Sequence, residues 1–211
     1  MACNHKFITY LNLERLDFRP TTLIVGTFNP SWPLENKADW FYGRKSRNYF
    51  WDVLPRLYNP NLNLRKQNHV HWKNFCTEHS IALTDIIMSI NDADETNKEH
   101  QNILRSYLDT SIADYFAVFQ FTELKELVNN NPTIKNVYLT RQAGVDLFDA
   151  RWALLEEYAL KNPARNLRLR KLITPSASAR FQIKDYKLAN PSDRSPLRNF
   201  IFKSWQEQWH F

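Results

Sequence analysis

The sequence predicts an α/β protein, a three-layer sandwich with a central, mostly parallel four-stranded sheet flanked by helices. Short apolar, β-branched runs alternate with longer stretches whose apolar residues recur at helical spacing, the order that builds βαβ units with right-handed crossovers. The length, 211 residues, supplies one sizeable core but not two average domains and a linker, so residues 1–211 are expected to form one domain. No repeat of 20 to 50 residues or low-complexity tract suggests a solenoid.

The elements follow in chain order. Residues 22–28 form a β-branched, apolar run stopped by Asn29-Pro30, as expected of a strand buried on both faces. Phe50, Val53, Leu54 and Leu57 then step at i, i+3, i+4 and i+7, with Pro55 leaving the boundary of that helix open. Residues 81–88 read as a second strand. Helical spacing returns at Ile103, Tyr107 and Leu108, and again at Leu124, Leu127 and Val128. A short third strand, 137–139, precedes a long helix carrying Val145, Phe148, Trp152, Leu155 and Tyr158 ahead of Asn162-Pro163. The fourth strand, 169–173, ends at Thr174-Pro175. Ser195-Pro196, a cap followed by proline in the first turn, opens the last helix, whose face runs through Leu197, Phe200, Ile201, Ser204, Trp205 and Gln208. Open sheets of this kind bind ligands beyond the carboxyl ends of their strands, which points to loops 28–31 and 174–180.

Composition narrows the chemistry. Aromatic residues make up 14% of the chain, too many for a disordered segment, and no apolar run is long enough to span a membrane. Cys3 and Cys76 form no CxxC or Cys/His pattern, so no disulfide framework, structural zinc or iron–sulfur cluster is expected, and a reducing, cytoplasmic setting follows. The N-terminus has no apolar stretch followed by small residues and reads as the start of the fold, not as an export signal. With three glycines, none in a GxGxxG or GxxxxGK[ST] pattern, the common nucleotide-binding loops are missing, as are HExxH and GxSxG. The formal charge of +6 raises the expectation of a polyanionic partner only modestly. Of the six histidines only His69-x-His71 has a regular spacing; on a strand both would face one side, with no third ligand, so all six are taken as surface or core residues.

Four segments remain: Gly26-Thr27-Phe28-Asn29-Pro30, Tyr42 to Trp51, Leu83-Thr84-Asp85-Ile86-Ile87, and Pro175-Ser176-Ala177-Ser178-Ala179-Arg180. Taken in order they resemble the uracil-DNA glycosylase superfamily, closest to its mismatch-specific/thymine and hypoxanthine branches. There a strand ends in Gly-Ile-Asn-Pro-Gly, an aromatic-Gly segment leads to Asn-Arg-Phe-Trp, a strand reads Leu-Trp-Asp-Val-Ile, and a late loop reads Pro-Ser-Ser-Ser-Ala-Arg. The resemblance spans roughly residues 20–210.

It implies a monofunctional DNA glycosylase that flips a deaminated or mismatched base, uracil, hypoxanthine or a related base, out of DNA and hydrolyses its N-glycosidic bond without metal or cofactor. By that resemblance Asn29 or Asn48 positions the attacking water, and either could instead be a capping residue. Gly26, Thr27, Phe28 and Asp85 hold the base, and an aromatic at Phe41 or, preferably, Tyr42 stacks on it. Asp85, a carboxylate within an apolar strand, could bind the base edge or accept from a helix N-terminus. Gly43, Arg44, Lys45 and Arg47, with Pro175, Ser176, Ala177, Ser178, Ala179 and Arg180, meet double-stranded or single-stranded DNA. Arg165, Arg168, Arg170 and Lys171 would join them or form a solvated face. Thr174 stands where the classical uracil enzymes have a histidine, which implies slow, broad activity. The chain is expected to act as a monomer. A protein that keeps this fold and binds nucleic acid or a nucleobase without catalysis is the alternative.

Overall fold

The computed structural model describes residues 1–33, 35–44, 48–142 and 144–210. Its strands are β1 (Cys3–Asn4), β2 (Thr22–Gly26), β3 (Ile81–Asp85), β4 (Ile87–Ile90), β5 (Phe119–Phe121), β6 (Asn136–Leu139) and β7 (Arg168–Lys171). Four of them make a parallel sheet in the order β3-β2-β6-β7, and the other three a small antiparallel sheet, β1-β4-β5.

Helices α1 (Phe50–Tyr58), α2 (His69–Glu78), α3 (Lys98–Ser106), α4 (Asp109–Tyr115), α5 (Leu124–Asn130), α6 (Asp146–Lys161), α7 (Lys184–Ala189) and α8 (Pro196–Gln208) surround the sheets. Alternation along β2 sorts them into layers. Leu23 and Val25 face a core shared with Leu104, Ile112, Val128, Phe148 and Trp152 of α3 to α6. Ile24 faces the opposite core, built from Phe50, Trp51, Trp72, Phe75, Ile201 and Trp205 of α1, α2 and α8. Burial on both faces is why β2 carries no polar alternation. Among the described residues no helix is long and apolar enough to cross a membrane.

Three local expectations change. The run 81–88 is not one strand: β3 ends at Asp85, and after Ile86 the chain continues as β4 in the second sheet. The Ile86 and Ile87 amides still donate to Gly26 O and Thr27 O, both at 3.0 Å, so the chain changes sheets without losing backbone pairing. Residues 69–78 form helix α2, with the Asn68 side chain accepting from Val70 N and His71 N at its start; His69 and His71 therefore lie exposed on a helix, not on a strand. Finally, α1 runs through Pro55. Proline cannot donate to Trp51 O, and Leu64 N does so instead at 2.8 Å, which removes the main cost of an interior proline.

Candidate active site

The parallel register sets the strand ends level, with Gly26 opposite Asp85 and Val25 opposite Leu139. Beyond that edge opens a cavity of about 490 Å³, a volume suited to a small ligand. Thr27, Phe28 and Asn29 line it after β2, Asp85 ends β3, Thr140 and Arg141 follow β6, and Thr174, Pro175, Ser176 and Ser178 follow β7. Tyr42, Arg44 and Asn48 close one side, and Tyr107 and Asp109 another.

Asp85 lies on the floor with its side chain only 3% exposed. Burial of a carboxylate requires partners, and two donors meet at Oδ2: His5 Nε2 at 2.8 Å and Asn29 Nδ2 at 3.3 Å. The Phe7 amide donates to His5 Nδ1 at 2.9 Å, which leaves Nε2 as the protonated nitrogen. Because the carboxylate only accepts, the Asn29 amide must turn its nitrogen inward. Glycine at position 26 is dictated by the same crowding, since a Cβ there would collide with Asp85 Oδ1 and come within 2.7 Å of Tyr42 Oη.

Tyr42 and Tyr107 hold left-handed backbone conformations, with φ of 58° and 54°, rare for aromatic residues; Tyr107 does so as the residue that ends α3. The Tyr42 ring stacks on Phe50 at 3.8 Å and 4°, so one face is already covered. Its hydroxyl pairs with Thr140 Oγ1 at 2.9 Å, and burial, reinforced by the Asp85 charge, pushes its titration well above the usual tyrosine range. Arg44 sits 3.4 Å over the Tyr107 ring.

Asp109, the first residue of α4, bonds Arg141 Nη1 at 2.9 Å. Burial pushes its carboxyl above the ordinary 3.8, against the lowering effects of Arg141 and the Thr27 hydroxyl, and nearby Asp85 adds to the rise.

The asparagines divide by geometry. Asn29 offers its amide to Asp85, whereas Asn48 Oδ1 accepts from Phe50 N at 2.8 Å and secures the first turn of α1. Asn48 also bridges Ser176, and Tyr49 N donates to Pro175 O at 2.6 Å, tying the two loop segments together. Ser176 Oγ in turn accepts from Ser178 N at 3.2 Å.

Other expected site residues fall elsewhere. Phe41 is fully buried against Phe7, Trp40 and His5 and is not the stacking ring. Gly43 does not line the cavity; a Cβ there would meet Trp40 O at 2.9 Å and the Trp72 ring at 3.0 Å, so its small size serves packing. Ala179 is wholly buried in the core and cannot touch DNA. Ala177 stays outside the lining, and Arg180 is exposed beside Phe181, its guanidinium 4.9 Å from that ring. Lys45 and Arg47 lie outside the described residues. Arg165 reaches Val128 O at the far end of the sheet, and Lys171 pairs with Asp149, so the basic run is not one DNA-facing patch. His5, Asp109, Arg141, Tyr107, Thr140 and Phe181 are site residues that no local motif marks.

No protein-family model matches the chain. No curated protein matches it either. Among solved structures, the solution NMR structure of a putative uracil DNA glycosylase from Methanosarcina acetivorans is similar, at 13% identity over 92% of this chain and 94% of that chain, with a TM-score of 0.50. The likeness is one of fold: four parallel strands between helical layers, in a uracil DNA glycosylase-like α/β arrangement.

Proposed function

We propose that the protein is a DNA base-excision glycosylase, hydrolysing the N-glycosidic bond of a deaminated, damaged or mismatched base turned out of DNA into this cavity. The observation that carries this is the Asn29–Asp85 contact at the strand ends, which fixes the amide so that Asn29 Oδ1 is left to accept from a water. That water bonds to C1′ of the sugar as the C1′–N bond breaks, and the bond's electron pair leaves with the base. The attacking water's proton passes to Asp109, the carboxylate with the raised pKa, and the departing base takes a proton from solvent. Until it takes that proton, the Asp109 carboxylate also stabilises positive charge developing on the sugar.

Asp85 and Tyr42 meet the edge of the base, and the 174–178 loop with Arg44 offers polar and charged contacts to the backbone. Phe181, 78% exposed on the rim, supplies an apolar ring of the kind that enters a base stack. Incubation with duplexes carrying uracil, hypoxanthine, xanthine or a T·G mismatch, followed by alkali, should yield strand breaks at abasic sites. No product from any damaged base at stoichiometric protein would overturn catalysis and favour a non-catalytic binding protein.

A further inference from the structure

The cavity floor permits an accounting of protons. Phe7 N–H occupies His5 Nδ1, so His5 Nε2–H is spent on Asp85 Oδ2, and Asn29 Nδ2 donates to the same oxygen. Among the described residues Asp85 Oδ1 accepts no side-chain hydrogen bond, and it lies over Gly26 in the lining of the cavity. Thr140 Oγ1 donates to Val25 O at 3.2 Å, so the 2.9 Å bond between Thr140 and Tyr42 must carry the tyrosine proton. Tyr42 Oη is then left with lone pairs only, and it approaches the same point over Gly26 as Asp85 Oδ1. Of the cations beyond the strand ends, Arg141 directs Nη1 to Asp109 Oδ2 at 2.9 Å and Nε to Gln142 O at 3.1 Å. Two oxygens that only accept therefore converge over Gly26, and this pair is the floor.

We infer that this floor selects a heterocycle whose inward edge carries two neighbouring N–H donors, as guanine's does, over one with a single N–H between two carbonyls, as in uracil. A uracil carbonyl turned to this floor would face oxygen lone pairs in a desolvated place, and an unpaired or repelled buried polar group is what discriminates most strongly between similar ligands. Hypoxanthine, with one ring N–H beside a C–H, falls between the two. The inference rests on the glycosylase reading only for how the base arrives; the floor itself is a property of the folded chain.

The test uses free bases and the intact protein. Isocytosine, which offers a ring N–H beside an amino group, and uracil, its dicarbonyl counterpart, are titrated separately and followed by calorimetry or ligand-observed NMR. Isocytosine should bind at least about tenfold more tightly, the size expected when one partner leaves a buried group unpaired. Asp85→Asn, which puts a donor on the floor, should reduce that ratio to about one or reverse it. Tyr42→Phe, which keeps the ring on Phe50, should lower it without moving the fold, checked by circular dichroism. Equal or tighter uracil binding by the wild type, or no isocytosine binding at millimolar concentration, overturns the inference. Parallel assays on duplexes with 8-oxoguanine or uracil separate the two claims. Isocytosine preference with no cleavage of any duplex keeps the floor and sinks the glycosylase reading. Faster release of uracil than of the guanine-type base sinks the floor and keeps the glycosylase.

Discussion

His5 and Asp85, 80 residues apart in sequence, meet at 2.8 Å with the imidazole Nε2–H donating to the carboxylate Oδ2 and both side chains closed off from solvent. Removing the imidazole leaves a buried carboxylate with one weaker donor. His5→Ala should lower the unfolding free energy by about 2 kcal/mol or more, measured by urea denaturation. His69→Ala, on the exposed side of α2, should stay within about 0.5 kcal/mol of wild type. Equal losses for the two variants would mean that the His5 contact contributes nothing.

Asn29 and Asn48 should separate cleanly. Asn48→Ala loses the bond to Phe50 N and should cost about 1 kcal/mol of stability with a modest effect on turnover. Asn29→Ala removes the longer, 3.3 Å donor to Asp85 and should cost about 1 kcal/mol as well, but slow base release about 100-fold, the usual effect of losing one preorganised polar group. Single-turnover rates beside melting curves decide it, and the reverse pattern would exchange their roles.

Gly26→Ala places a methyl where Asp85 Oδ1 and Tyr42 Oη converge. One or both must shift, at a cost of about 1–3 kcal/mol for overpacking. Base binding should fall more than stability does, because the displaced atoms are the ones facing the ligand. A fully active Gly26→Ala protein would show that the floor tolerates rearrangement.

Asp109 gives a pH dependence with a defined sign. Its folded-state pKa is raised by burial, so the folded protein binds that proton more tightly than the unfolded chain does. The associated stability is fully present below the unfolded value of 3.8 and is lost as pH rises through the higher folded value. Asp109→Asn abolishes that titration, so the variant's Tm relative to wild type should climb as pH is raised from about 3.8 toward neutrality. A falling difference would show that Arg141 outweighs burial.

The fold was readable where local signals agree. Residues 22–26 carry a β-branched run with a firm stop, and Pro196 opens α8 as its place in the first turn demands, although Ser195 contributes a backbone acceptor and no side-chain cap. Asn29 and Ser176 lie on the two loops that strand ends gather at one edge, whereas Thr27, Tyr42 and Asp85 were legible only through the family resemblance. The sheet change at Ile86 carries no glycine or proline, so the segment reads as one apolar run. His5 was invisible as a partner because a two-residue strand has no periodicity, and its position depends on pairing with β4. Asp109 and Arg141 meet only through the packing of α4 against the loop after β6.

The brevity of β1 matters for dynamics. Cys3 and Asn4 pair with Ile90 and Ser89, His5 N donates to Met88 O at 2.7 Å, and Lys6 N donates to Asn29 O at 2.7 Å. These few bonds hold the imidazole against Asp85, and a pairing this short opens at lower free energy than the four-stranded sheet behind it. The geometry of the floor therefore depends on local opening of β1 as well as on global unfolding. Amide exchange at His5 and Lys6 reports the fraction of molecules whose floor is assembled.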